Sequence, residues 1–190
     1  MTDFRVKGKK VIGLSGSIAS GKSAAADIFR HLGADVVSAD ELSSKFYLAM
    51  LPQIEKHFNT QDKKAVAAAV FADENERKWL ESLLHPLVFD EAFKIIKKSK
   101  KQIVVFDVPL LFETGLKNSF DLTLCICASY DIRLKRAIKR GMEEADFKRR
   151  DFSQMPQKEK IKLADYCFYN DKTPKDLEVK IKKFYCDMLK

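Results

Sequence analysis

The 190-residue sequence has few cysteines, no long apolar run and no loose linker. Its four cysteines, Cys125, Cys127, Cys167 and Cys186, form no Cys-x-x-Cys pair, which removes the spacing that zinc ribbons and dithiol redox sites use. Cys125 and Cys127 alternate on what reads as a strand, so they share one face and fit a core better than a ligand set. So few thiols suit a reducing compartment. No apolar stretch is long enough to cross a bilayer. Basic residues precede Val11, Ile12 and Leu14, but that stretch is short, contains glycine and lacks a small-residue cleavage pattern, so it does not read as a secretory leader. The expected location is the cytoplasm. No Gly-, Pro- or Ser-rich linker, repeat or low-complexity tract is present, which points to one domain, or to one core domain carrying inserts.

What is present is a soluble, globular composition, 46% hydrophobic and 33% charged, on a chain long enough to bury a sizeable α/β core. Lys and Arg number 35 against 27 Asp and Glu, a net charge of +8. Such a balance favours polyanionic partners: nucleic acid, an acidic membrane surface or phosphorylated metabolites. Lys97, Lys98, Lys100 and Lys101 close a predicted helix, where cations suit the dipole, and are read as solvated.

The apolar run Val11–Ser15 predicts a buried strand, and Ser23–Leu32 a helix with an apolar stripe that Gly33 stops. Val36–Val37, Ile103–Val108, Leu122–Ala128 and Tyr166–Tyr169 read as further strands. Glu41 to about Lys101 reads as helical, broken at Pro52, with Asp73 and Glu76 as a capping box and Pro86 as a start or kink. Ile132–Arg140 is a basic helix, Gly141–Phe152 is charged and weakly periodic, Met155–Ala164 is helical, and a last helix closes the chain. Strands separated by helices predict a parallel sheet covered on both faces.

Gly16-Ser-Ile-Ala-Ser-Gly-Lys-Ser23 fits G-x-x-x-x-G-K-[ST]. Its glycines let backbone N–H groups turn toward phosphate oxygens, the following helix aims its positive end at them, and Lys22 and Ser23 serve the phosphates and Mg²⁺. A chance match in a chain of this size arises on the order of once in a hundred, and a strand before and a helix after make chance less tenable still. A guanine-reading Asn-Lys-x-Asp loop is missing, since Asn170-Asp171-Lys172 has the wrong order. Asp40 follows the second strand, where a carboxylate can accept a hydroxyl proton or merely cap the next helix. Arg133, Arg136 and Arg140 share a helix face, and Arg149 and Arg150 follow. They suit a lid closing on a triphosphate, or a solvated basic helix that touches RNA. Asp107 could reach Mg²⁺ through water or hold a backbone group, and Glu113 could orient an acceptor or cap a loop. His31 and His57 have no partner pattern and read as structural.

Six ordered blocks resemble the dephospho-coenzyme A kinase family: Ile12–Ser23; Ala39-Asp40; Leu84-His85-Pro86; Asp107-Val-Pro-Leu-Leu-Phe-Glu113; Arg136, Arg140 and Arg150; and Gln154-Met-Pro through Lys160 and Ala164-Asp165 to Asn170. The resemblance implies an α/β fold: a P-loop kinase core with a five-stranded parallel sheet (about 10–40, 102–132 and 160–190), a helical substrate-binding insert (about 41–101) and a small helical lid (about 133–155). It implies transfer of the ATP γ-phosphate to the ribose 3′-hydroxyl of dephospho-coenzyme A. Asp40 would be the base, assisted by Lys22 and Arg140. Ala19, Ser20, Gly21, Lys22, Ser23, Ala24, Arg136, Arg150 and Asn170 would hold ATP, with Ser23 on Mg²⁺ and adenine near Asn170. His85, Pro86, Asp107 and Glu113 would lie on the acceptor side. Ser17 and Ala19 stand where the family commonly has glycine, and a methyl at Ala19 is expected to require a negative φ. A nucleoside or nucleotide kinase is the alternative acceptor class. A basic nucleic-acid-binding ATPase ranks lower, because Phe147 is the only aromatic residue between Arg133 and Arg150. No nucleic-acid or membrane partner is expected, and the oligomeric state stays open, a monomer being admissible.

Overall fold

The computed structural model describes residues 3–190. Among them, five parallel strands form one sheet in the order β2-β3-β1-β4-β5. They are β1 (Lys10–Gly16), β2 (Asp35–Ser38), β3 (Ile103–Asp107), β4 (Leu122–Cys127) and β5 (Tyr166–Tyr169). The three central strands are buried almost throughout while the edge strands are half-exposed, the near-continuous apolar run expected of parallel strands covered on two faces. From β1 the chain steps to β2 on one side, and after β3 it crosses to β4 on the other. That reversal places a switch point at β1, where ligands of open α/β sheets settle at the carboxyl ends. The register sets Leu14 and Ser38 opposite Asp107, and Gly16 opposite Ile126, so these residues share that end.

Two helices cover one face. In α1 (Lys22–His31) the buried side chains are Ala25, Ala26 and Phe29; in α9 (Pro174–Met188) they are Leu177, Ile181 and Phe184. They pack with Ile12, Leu14, Leu124 and Ile126, and Phe29 meets Phe184 edge-on at 6.3 Å. Fully buried apolar side chains of this size contribute about 1.5–3 kcal/mol each. A capping box between Thr173 and Asp176 starts α9. On the other face a methyl at Gly13 would lie 2.6 Å from Leu111 and 2.7 Å from Phe120, so only glycine lets the loop after β3 pack against β1.

The region after β4 carries α6 (Tyr130–Lys139), α7 (Glu144–Ser153) and α8 (Gln157–Leu163). The weakly periodic stretch after Gly141 is helical because Phe147 anchors α7 while Lys148–Glu144 and Arg150–Asp146 pairs support its exposed face.

The chain separates into two compact units: residues up to Ser38 with Ile96–Lys190, and Ala39–Ile95. The second is helical: α2 (Ala39–Ala49), α3 (Leu51–Phe58), α4 (Lys63–Ala72) and most of α5 (Glu74–Lys98). Its core joins Tyr47, Ile54, Val66 and Leu84 with Trp79 and neighbours. The capping box expected at Asp73 and Glu76 does not form. Asp73 accepts from the Asn75 N–H at 2.6 Å, whereas Glu76 turns to His57, which also stacks on Trp79 at 3.7 Å. A partner reachable only through the tertiary fold outcompetes the local one. Pro86 lies inside α5 and does not start it.

Candidate active site

Between β1 and α1 the loop turns at two glycines with no room for a side chain. A methyl at Gly16 would sit 2.6 Å from the Ile126 carbonyl oxygen, and one at Gly21 would sit 2.1 Å from Asn170 Nδ2. Gly21 also has φ 102° as the N-cap of α1, a conformation that L residues rarely adopt. Ala19 has φ 57°, which corrects the expectation of a negative angle. The value falls in the narrow left-handed well that a methyl tolerates, at a cost on the order of 1 kcal/mol.

Side chains from elsewhere in the same unit hold this loop. The Ile18 N–H donates to Gln154 Oε1 at 3.0 Å, and Arg133 approaches the Ile18 carbonyl at 3.5 Å. The Ser20 carbonyl accepts from Asn170 Nδ2 at 2.9 Å and from Arg136 at 3.3 Å. Arg136 also donates to the Asn170 carbonyl at 2.8 Å, and the Asn170 N–H caps the end of β4 at the Cys127 carbonyl. Lys22 Nζ donates to Asp107 Oδ1 at 2.5 Å, an ion pair with both side chains largely buried.

Beside the loop opens a cleft of about 360 Å³, lined by Gly21, Ala24, Ile28, Arg136, Asn170 and Leu177 among others. Arg140 also reaches its wall. Arg150 does not line it; it is exposed on α7 and paired with Asp146 at 3.0 Å. Glu113 accepts from the Met155 N–H and from Lys160. In the helical unit, Asp40 is exposed in the first turn of α2. His85 is half-buried against Phe89, its pKa lowered by desolvation, and the adjacent Pro86 is exposed.

Three residues carry more of the local structure than sequence reasoning assigned them. Arg133 does not belong with Arg136 and Arg140 on the cleft: it is 5% exposed, ion-paired with Asp151 and flanked by Tyr130 and Phe147. Helical spacing defined a shared face but not what packs on it. Gln154 and Lys160 stood in recognisable blocks, yet their partners are remote in sequence.

The donor set suits a polyphosphate with a hard cation. Ser17 and Ser20 hydroxyls are buried with no partner among the described residues. The first turn of α1 carries no acidic residue, which leaves its positive end to an anion. Lys22 supplies an ammonium, while the exposed Ser23 hydroxyl and the Asp107 carboxylate offer the oxygen ligands that Mg²⁺ prefers.

A parallel sheet with a phosphate cradle at the carboxyl end of β1, a helix start free of acidic residues and arginines facing the adjacent cleft define a P-loop kinase. The family model described as dephospho-CoA kinase matches residues 10–176. A dephospho-CoA kinase of Aquifex aeolicus is 38% identical over 93% of this chain and 96% of its own. TT1252 from Thermus thermophilus superposes with a TM-score of 0.87 at 29% identity, covering 94% of this chain and 97% of that one. Dephospho-CoA kinase from Campylobacter jejuni does so with 0.70 at 27%, covering 95% and 97%. The chain belongs to the dephospho-CoA kinase family.

Proposed function

We propose that this chain transfers the γ-phosphate of ATP to the ribose 3′-hydroxyl of dephospho-coenzyme A, giving coenzyme A and ADP, the last step of coenzyme A synthesis. The observation that carries this reading is the glycine-turned cradle with Lys22 fixed on Asp107, opening beside the cleft. Family membership gives the acceptor and disfavours a nucleoside or nucleotide kinase.

In this reading the N–H groups from Ala19 to Ala24 and the Lys22 ammonium bind the ATP phosphates, and adenine enters the cleft near Asn170 against Ala24, Ile28 and Leu177. Ser23 and Asp107 would hold Mg²⁺, which when bound neutralises phosphate charge. Arg136 and Arg140, with Arg150 from α7, stabilise charge on the transferring group. Asp40 accepts the hydroxyl proton: it follows Ser38, whose register partner is Asp107 at the end of β3. The helical unit, with His85 and Pro86, binds the acceptor. No described helix is long and apolar enough to cross a membrane, and we place the reaction in the cytoplasm.

The test follows ADP release from ATP with dephospho-coenzyme A, adenosine, nucleoside monophosphates and pantetheine-type compounds. Turnover is expected with dephospho-coenzyme A, and turnover only with another acceptor would overturn the reading. Asp40→Asn should keep ATP binding and lose on the order of 10²-fold or more in kcat, the scale of a removed general base. Near-normal kcat would remove Asp40 from that role.

A further inference from the structure

The Lys160 side chain is completely buried. An ammonium taken out of water costs several kcal/mol unless it is paired, and its partners come from a different part of the chain. Nζ lies 2.8 Å from Glu113 Oε1 and 3.2 Å from the Pro109 carbonyl. The same Glu113 oxygen accepts the Met155 N–H at 2.9 Å, and the same Pro109 carbonyl accepts the Ser15 hydroxyl at 3.1 Å. One buried cation therefore ties together α8, the loop after β3, the segment before α8 and the end of β1.

The Met155 N–H belongs to the planar peptide unit that begins at Gln154. Holding it fixes the direction in which the chain leaves Gln154, whose side chain grips the Ile18 N–H. Ile18 precedes Ala19, the non-glycine residue held at φ 57°. A residue kept in a sparsely populated region needs surroundings that over-determine it. Where a glycine would take this angle freely, the clamp on Ile18 and the Asn170 and Arg136 bonds on Ser20 impose it from outside.

We propose that Lys160 and Glu113 are positioning residues for the nucleotide site, their ion pair holding Gln154 where it keeps the phosphate loop in binding geometry. The proposal rests on the reading of that loop as the ATP cradle. Replacing a buried ion pair with apolar groups is often neutral for stability, so the pair's value here is geometric. Glu113 Oε2 is buried and has no partner among the described residues, which leaves Lys160 as the group that balances its charge.

The experiment measures ADP binding by direct titration for the wild type and for Lys160→Met, Lys160→Arg, Gln154→Ala and Lys160→Met with Ala19→Gly, with folding checked by circular dichroism. K160M and Q154A should each weaken ADP binding by up to about tenfold, the scale of one net hydrogen bond. K160R should recover most of the loss, and A19G should recover part of it, because glycine needs less external support. In turnover, KM for ATP should rise more than kcat falls. Folded K160M with wild-type ADP affinity would overturn the proposal. If K160M does not fold, Q154A decides: wild-type affinity there would overturn it equally. The readout does not depend on the acceptor, so a wild type that binds ADP but ignores dephospho-coenzyme A would sink the functional reading and leave the clamp testable.

Discussion

Ala19 and Gly21 lie two positions apart and demand opposite things of a side chain. Ala19 sits at φ 57°, where its methyl is tolerated under strain; Gly21 sits at φ 102° with Asn170 Nδ2 2.1 Å from where a methyl would go. Ala19→Gly should therefore stabilise the protein by about 0.5–1 kcal/mol, even after glycine's larger entropy loss. In a chain of this length that is roughly a 1–4 °C rise in Tm. Gly21→Ala should lower Tm and abolish ADP binding, since the methyl must displace the side chain that holds the Ser20 carbonyl. Thermal melts and ADP titrations read both, and equal effects of the two substitutions would contradict this account of the loop. The motif was legible in the sequence because its residue types follow from phosphate chemistry. The angle at Ala19 was not, because bonds from Gln154 and Asn170, more than a hundred residues away, impose it.

At the scale of elements, strands and helices were legible where periodicity reports burial. The central strands read as apolar runs, and all five lie close to their expected places. What failed was information that one element cannot contain. Arg133 and Arg140 sit on one basic helix, yet Arg133 is buried against Asp151, Tyr130 and Phe147 while Arg140 is exposed beside the cleft. The two should separate in experiment. Arg133→Met leaves Asp151 without its partner and should cost about 1–3 kcal/mol, below the range for a fully buried pair because Asp151 retains some exposure. Arg140→Met should leave Tm nearly unchanged and reduce kcat/KM by about 10²-fold or more, as expected of a lost charge-stabilising donor. Melting curves and steady-state kinetics on the two variants check this. A stable, inactive R133M with a destabilised, active R140M would reverse the assignment.

Among the described residues, each of the two compact units has a hydrophobic core of its own. The sheet unit packs α1 and α9 on its strands around Phe29, Leu124 and Ile181, and the helical unit closes on Tyr47, Ile54, Val66 and Leu84. Every residue that lines the cleft and every side chain that braces the phosphate loop belongs to the sheet unit. Ligand binding stabilises the state that binds it, by about 2.7 kcal/mol at a hundredfold excess over Kd. Amides that open only by local unfolding feel that gain only if their own unit must open to release the ligand. Hydrogen exchange should accordingly slow on adding ADP in 10–32 and 166–184, with little change in 39–95. Dephospho-coenzyme A added without nucleotide should slow exchange within 39–95, the unit assigned to the acceptor. ADP protection as strong in 39–95 as in 10–32 would mean that the two cores unfold as one. Acceptor protection confined to the sheet unit would take the acceptor away from the helical insert and leave Asp40, His85 and Pro86 without the roles given to them.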